Sequence, residues 1–461
     1  MIAPEYFGVV ATALIVLNIL RVLVDGGFGA ALVQRKHISR TDISTVFYLN
    51  IAIAFVSLGI IALVSNWIAI YFEQPDLTWI VPALGLTLVF ASFGQAQSQM
   101  LVKQLKFKFL AKITFPPVLA GGAVGITLAF MGANVWALIG QQLTQSCLRS
   151  TLLWMLSPRE NQPDFKFSVS SFRKLSGFSF AVLGNELLRR ITQNLTGMII
   201  AKSFGVEDLA FYNRARFFQR SPTQPLVSLL NRVLFPVFSE IQNEPKKIKS
   251  TLRSGIPIAI GCVAPLMFWL MATAKPLVIV TLTDVWSETI QYLRIVPLMG
   301  ITLVLSGIKS NVIRSQGNGK LIFLLSVCRN SLIVVGLVIT WRYGIIAMVI
   351  GQIVCFGLNM VINDYFTQRY TGYTLLEQWA DWTPYVILSS FAGAIALAVS
   401  WANMSNHLVM LVLQTIVFGA VYFAGCWTMN LLLYRKIVSQ INRLKNSASR
   451  IGLQSAKEIR N

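Results

Sequence analysis

The sequence predicts an all-α polytopic membrane protein, and three observations lead there. Apolar residues make up 55% of the 461 residues and charged residues only 12%, about half the ~25% charged share of soluble domains. Mean hydropathy is +0.64. Apolar runs of membrane-crossing length follow one another with short polar breaks. At about 20 apolar residues per helical span, the length holds roughly thirteen transmembrane helices.

The elements follow in order from these runs and the breaks between them. A first span near 7–34 stops at the basic stretch Arg35–Arg40. Spans near 43–71 and 77–102 flank Glu73-Gln74-Pro75-Asp76, a turn sequence. Lys103, Lys106 and Lys108 separate the latter from 109–131, and Gly132-Ala133-Asn134 separates that from 135–157. A basic stretch from Pro158 to Lys174 precedes 175–203, and Phe204-Gly205-Val206 divides it from 207–239. Six more spans lie near 254–273, 290–313, 321–341, 345–366, 384–401 and 408–434, with an external loop at 274–289. Several exceed 20 residues, which implies tilt or extension past the bilayer. The first run does not read as a cleavable signal peptide, since it has neither a basic leader nor a small-residue cleavage site.

Charge placement sets the orientation. Of 39 Lys and Arg, 25 fall in one alternating set of loops and the C-terminal tail, and only Lys202, Lys275 and Arg342 fall in the opposite set. The positive-inside rule puts the first set and the C-terminus in the cytoplasm. The net charge of +21 is therefore chiefly a topology signal, and nucleic acid is not an expected partner. Trp67, Trp136, Trp286, Trp341, Trp401 and Trp427 lie near span ends, as interfacial anchors do. The cysteines Cys147, Cys262, Cys328, Cys355 and Cys426 fall in apolar segments without CxxC spacing, which indicates neither a disulfide framework nor a metal site. His37 and His407 are the only histidines, and no nucleophile–base set, Walker loop or metal-spaced cluster occurs. The expectation is a non-enzyme without cofactor, driven by an ion gradient or a partner if it pumps.

An internal repeat organises the spans. Residues 80–89 (IVPALGLTLV) and 295–304 (IVPLMGITLV) share seven of ten residues at an offset of 215. Ile139-Gly140-Gln141 recurs as Ile350-Gly351-Gln352 at an offset of 211, and Pro4-Glu5-Tyr6-Phe7-Gly8 parallels Val206-Glu207-Asp208-Leu209-Ala210 at 202. Six spans separate matched points, so both copies have the same orientation, a parallel repeat about an axis along the membrane normal. The expected organisation is an N-terminal lobe of five spans in 1–158 and a C-terminal lobe of six in 175–370. Two appended helices in 384–434 and a basic cytoplasmic tail, 435–461, follow. A helix precedes the second copy's Val206-Glu207 but only Met1-Ile2 precede the first copy's counterpart. The expectation is that about one helix is missing there, through a misplaced start or a truncated gene.

Eleven basic residues lie inside spans, where an arginine at mid-bilayer costs about 2.5–3.5 kcal/mol on the lenient scale. Arg149, Arg232, Arg294 and Lys309 lie close enough to an interface to snorkel. Span 207–239 is different: Asn213, Arg216, Arg220, Gln224, Ser228 and Asn231 recur at spacings of three and four, placing all six on one helical face beside Pro222 and Pro225. Interhelical hydrogen bonding accounts for such a stripe in general, but two arginines one turn apart favour a solvated, anion-attracting wall. On the preceding helix Glu186 and Arg190 form an i,i+4 pair that leaves Arg189 unpaired. Asn18, Arg21 and Asp25 share a face of the first span; Asp25 with Arg21 is either a coupling site for protons or sodium or a self-neutralising pair. Gln141, Gln142, Gln145 and Arg149 form a broad polar face on 135–157. The candidate substrate contacts are thus Arg216, Arg220, Arg214, Arg189, Asn213, Gln224, Gln141 and Gln145. Such a lining points to a large anionic or phosphate-bearing substrate with a hydrophilic body, whereas a drug-cation antiporter is expected to show the opposite sign.

Several stretches resemble the polysaccharide-transporter (Wzx-type flippase) family, within the superfamily that also holds multidrug and toxic-compound extruders. They are APEYFGVVA (3–11), DGGFGAALVQRKHISRTDISTVFYLN (25–50), NLTGMIIAKSFGVEDLAFYNRA (194–215) and RVLFPVFSEIQNEP (232–245). The resemblance implies two six-helix lobes plus two C-terminal helices, a MATE-like fold. It also implies a bacterial inner-membrane flippase for undecaprenyl-pyrophosphate-linked oligosaccharide repeats, working by alternating access, with polymerase and chain-length machinery as partners. Arg214 falls in that family's Tyr-x-Arg-Ala pattern. The competing reading is a multidrug or small-solute ion-coupled antiporter.

Overall fold

In this computed structural model the described residues are 2–25, 28–34, 38–164, 166–402 and 406–431. The tail 435–461, the loop residues Arg35, Lys36 and His37, and the side chain of Asp25 lie outside them. The described residues form helices and no strand. They are α1 (Pro4–Asp25), α2 (Phe28–Gln34), α3 (Arg40–Phe72), α4 (Leu77–Lys103), α5 (Phe107–Phe130), α6 (Val135–Leu156), α7 (Val169–Ser203) and α8 (Val206–Glu240). Then come α9 (Pro245–Ala272), α10 (Ala274–Leu282), α11 (Thr289–Leu293), α12 (Leu298–Ser315), α13 (Gly319–Thr340), α14 (Ile345–Thr371), α15 (Leu375–Ala398) and α16 (His407–Thr428). Thirteen of these are 18 residues or longer, and ten stretches are long and apolar enough to cross a membrane. The remaining long helices, α6, α7 and α8, fall short because of the arginines and amides that the sequence singles out.

Several boundaries differ from the apolar pattern, each for a local reason. Where one span is predicted over 7–34, the described residues form two helices, α1 ending at Asp25 and α2 beginning at Phe28. α3 begins at Arg40 because Ser39 and Asp42 form a capping box, and α15 begins nine residues before the predicted 384 because Thr374 and Glu377 form another. Pro245 opens α9 at its first turn, where a missing N–H costs nothing. Most of the predicted external loop 274–289 is helical, as α10 and a short 3₁₀ turn.

The chain forms two compact units, Met1–Asn213 and Arg214–Asn461. The division falls inside α8, later than the predicted start of the second lobe at 175, because α7 packs against α1, α2 and α3. At that contact a side chain on Gly197 of α7 would press on Ile15 of α1, 2.9 Å away. The connection from α6 to α7 is strapped to the same unit. Arg40 pairs with Asp164 at 3.1 Å, and the backbone N–H groups of Asp164 and Ser168 donate to Ser44 and Thr45. Near the other end of α7, Lys202 pairs with Glu73 at 2.7 Å, which holds that carboxyl below its ordinary range.

Within each unit the same packing scheme recurs. In the first, α3 packs on α4, α4 on α6, and α5 on α6; in the second, α9 packs on α12, α12 on α14, and α13 on α14. Glycines make the hairpins close. Gly140 of α6 faces Leu128, and its repeat mate Gly351 of α14 faces Thr340. A second pair at the same offset of 211, Gly125 and Gly336, lies on the facing helices α5 and α13. Because lipid tails are as apolar as leucine, small residues that let backbones approach supply much of the helix association energy. Gly121→Ala would place its Cβ 2.7 Å from the Gln141 backbone carbonyl oxygen, whereas nothing lies within 4 Å at Gly122. Gly121→Ala is therefore expected to cost about 1–3 kcal/mol, read as a lowered melting midpoint of the detergent-purified protein. Gly122→Ala should leave the midpoint unchanged or raise it.

The two C-terminal helices dock on the second unit through a cluster that includes Leu388, Ala392, Ala396, Phe418 and Tyr422. The Tyr422 hydroxyl donates to the Gly261 carbonyl of α9 at 2.7 Å. At the start of α15 an ionic clamp joins it to α9: Lys249 meets Glu377 at 2.8 Å and Arg253 meets Asp381 at 3.3 Å. Tyr373 donates to Asp381; burial, followed by that carboxylate, pushes its phenol up, so it stays a donor.

Candidate functional site

The polar residues on α8 divide between two faces. Glu207 and Asp208 occupy its first turn, where carboxylates favour a helix N-terminus. One face is closed: Gln219 and Thr223 are buried, bonded to each other at 3.1 Å, and packed on Gly300 of α12. The stripe lies on the other. Asn213, Arg220 and Gln224 are exposed, and Arg216, Ser228 and Asn231 are half-buried. Asn231 accepts from Asn311 of α12 at 2.7 Å, so that end of the stripe is tied into interhelical bonding. Arg216 donates to the Met299 sulfur at 3.1 Å. Arg214 stacks over the buried Trp286 ring, 4.8 Å from its centroid, with Phe217 at 5.9 Å. Desolvated cation–π contacts of this kind contribute about 2 kcal/mol and hold Arg214 in place.

Arg189 is not unpaired. Glu186 accepts from Arg189 Nε at 2.7 Å and again from its terminal nitrogen, while Arg190 reaches the same carboxylate at 3.1 Å. Both i,i+3 and i,i+4 neighbours lie within reach on a helix. One acid thus serves two guanidiniums and the cluster keeps a single net positive charge.

In the first unit, α1, α4 and α6 enclose a polar cavity of about 120 Å³. Arg21 of α1 enters it; Thr87, Gly94 and Gln95 come from α4; Gln142, Gln145, Ser146, Arg149 and Ser150 come from α6. Arg21 and Gln145 are among the expected site residues, but Gln141 is not in this wall. Its side chain packs against Gly125 of α5. Arg149 does not snorkel: it shares the face of Gln142 and Gln145, lines the cavity, and donates to Ser98 at 3.4 Å. Arg21 and Arg149 also engage protein groups, and Asp25's side chain lies outside the described residues.

Lys309 does not snorkel either. It is wholly buried and paired with the equally buried Asp364 of α14, whose second oxygen accepts from Trp379 Nε1 at 3.1 Å. The partner lies 55 residues away, so helical periodicity does not reveal it. Asp364 inside span 345–366 was itself the available signal, since an intramembrane acid needs a partner. Arg232 and Arg294 are exposed. No group of three or more His, Cys, Asp or Glu positioned for a metal occurs among the described residues.

The profile of a polysaccharide biosynthesis protein family matches residues 1–291. The chain belongs to that family. The succinoglycan biosynthesis transport protein ExoT of Rhizobium meliloti is 26% identical over 336 residues, covering 71% of this chain and 66% of that protein. The teichuronic acid biosynthesis protein TuaB of Bacillus subtilis is 26% identical over 361 residues (75% of this chain, 74% of it). The lipopolysaccharide biosynthesis protein WzxC of Escherichia coli K12 is 24% identical over 368 residues (79% and 73%). Among solved structures, the lipid II flippase MurJ in an inward closed conformation superposes with a TM-score of 0.73 at 13% identity, covering 95% of this chain and 94% of that one. An inward-facing multidrug MATE transporter gives 0.61 at 14% identity, covering 80% and 92%. This member of the polysaccharide biosynthesis family therefore has the MurJ and MATE fold, and is a multi-pass membrane protein.

Proposed function

We propose that this protein is a flippase that moves undecaprenyl-pyrophosphate-linked oligosaccharide repeat units from the cytoplasmic to the periplasmic leaflet of the bacterial inner membrane. The product is a surface polysaccharide, whether O-antigen, capsule or exopolysaccharide. The observation that carries this reading is the stripe on α8, where Arg220 and Gln224 are exposed and Arg216 is half-buried on a helix of a membrane fold. Guanidiniums match phosphate oxygens in charge and in fork geometry, and amides beside them suit sugar hydroxyls. Relatives named for succinoglycan, teichuronic acid and lipopolysaccharide biosynthesis support a glycan cargo.

Arginines and amides line the sites, and this cationic character is the reason to prefer a lipid-linked glycan over a cationic drug exchanged by an ion-coupled antiporter. Coupling, if any, falls to Asp25 and Arg21, and transport proceeds by alternating access with the C-terminus cytoplasmic. Membrane lipids surround the protein, and polymerase and chain-length machinery receive its product. Expression in a flippase-null strain is expected to restore surface polysaccharide and to clear lipid-linked repeats from the cytoplasmic leaflet. Persistent accumulation, with the protein present in the membrane, would count against the assignment.

A further inference from the structure

The two repeat copies differ in charge at one equivalent place. α5 and α13 match at the offset of 211 that relates Gly125 to Gly336. Both are long and apolar enough to cross a membrane, and both present exposed apolar side chains, Phe115 and Leu119 on α5, Phe323 and Leu324 on α13. At that offset Lys106, Lys108 and Lys112 of the first copy stand against Gly317, Gly319 and Phe323 of the second, and the first turns of α13 hold one cation, Lys320. The positive-inside rule treats the two helix ends alike, so the excess on α5 needs a reason of its own. Lys108 and Lys112 are exposed, one turn apart, on the face that continues through Phe115 and Leu119. Like charges at that spacing repel, and the N-terminal end of a helix disfavours cations. α5 carries no Asp or Glu, and it is Lys106 that approaches Glu160, at 3.8 Å. An anion between Lys108 and Lys112 offsets both effects. Because the same face runs on into apolar side chains, the anion that fits is one carried on acyl chains. A zwitterionic headgroup brings an ammonium with its phosphate and gains less.

We propose that the N-terminal end of α5 is a site for the headgroup of an anionic phospholipid, in the leaflet that the loop charges assign to the cytoplasm. Lys108 and Lys112 take the phosphate, extending toward the interface as lysines at helix ends do, and the acyl chains lie along Phe115 and Leu119. α5 joins the first unit chiefly through α6, so a lipid held there fastens an edge helix to the membrane. The site is separate from the α8 stripe and from the first unit's cavity, and it does not depend on what the protein carries.

The test places the full-length protein in phosphatidylcholine liposomes with a trace of photoreactive phosphatidylglycerol or photoreactive phosphatidylcholine, each with a diazirine in one acyl chain. Labelling of α5 and of α13 is read by peptide mass spectrometry, so the second copy serves as the control within the same molecule. The phosphatidylcholine probe is expected to label the two helices within twofold of each other, and the phosphatidylglycerol probe to favour α5 by about fivefold or more, the size of one extra lysine at a membrane surface. Lys108→Gln with Lys112→Gln should reduce α5 labelling by phosphatidylglycerol about tenfold or more and leave α13 labelling within twofold, which also shows that the variant is inserted. Lys320→Gln should leave α5 labelling unchanged. If the double variant does not insert, the single variants decide, each with a loss of about fivefold. Equal preference of both probes for α5 overturns the proposal, as does undiminished α5 labelling in the lysine variants. Loss of that labelling in millimolar inorganic phosphate, at constant ionic strength, also overturns it, because the site is then one for a free anion and not for a lipid.

Discussion

Arg216→Ala and Arg220→Ala are each expected to abolish surface polysaccharide in a flippase-null strain while the protein still inserts at wild-type level. The two side chains lie one turn apart on α8, away from the buried Gln219 and Thr223, with Arg220 exposed and Arg216 half-buried beside Met299. Removing either deletes a charge-assisted contact worth about 1.5–3 kcal/mol, a tenfold or greater loss of affinity for a phosphorylated cargo. Arg216 also donates to Met299, so the level of inserted protein is measured beside complementation to separate an effect on cargo from one on folding. Full complementation by both variants would remove α8 from the substrate path. Lysine at either position should restore function only in part, since a point charge replaces a bidentate fork.

The largest effect on stability is expected at Lys309. Lys309→Ala leaves Asp364 buried without its cation, a change of about 3–5 kcal/mol that should sharply reduce the folded yield. Replacing both partners by apolar residues of similar size, Lys309→Met with Asp364→Leu, is expected to recover most of that loss. Buried pairs often contribute less than well-packed hydrocarbon. The Trp379 indole N–H, which donates to Asp364, loses its acceptor in the double variant and sets a residual deficit of about 1–3 kcal/mol. Thermal midpoints of the two single variants and the double variant decide the matter. If the double variant is no better than Lys309→Ala, the pair serves something other than packing, and transport by the double variant becomes the measurement of interest.

How far the sequence carries a reader depends on whether a feature is local to one helix. Span positions, the repeat and the polar stripe of α8 are legible because each rests on periodicity along a single segment. Gly140 and Gly351 are legible as repeat mates, but their partners Gly125 and Gly336 emerge only when the hairpins are seen to close. Arg149 and Lys309 look alike in sequence, as bases a few turns from an interface. One lines a polar cavity and the other is sealed by an acid from a different helix. Periodicity tells which residues share a face, not which neighbour covers that face. For the same reason Gln141 and Gln145 read as one polar surface, although Gln141 packs against Gly125 of α5 and Gln145 also lines the cavity. Arg189 reads as unpaired because a carboxylate is assigned to one partner at a time, whereas Glu186 takes two.

Reconstitution tests the central claim most directly. Purified protein in liposomes is given an undecaprenyl-pyrophosphate-linked oligosaccharide in one leaflet, and its arrival in the other is followed with a membrane-impermeant lectin or glycosidase. The account predicts protein-dependent translocation that is lost in Arg216→Ala and Arg220→Ala. Translocation no faster than in protein-free liposomes, together with transport of a cationic drug by the same preparation, would contradict it.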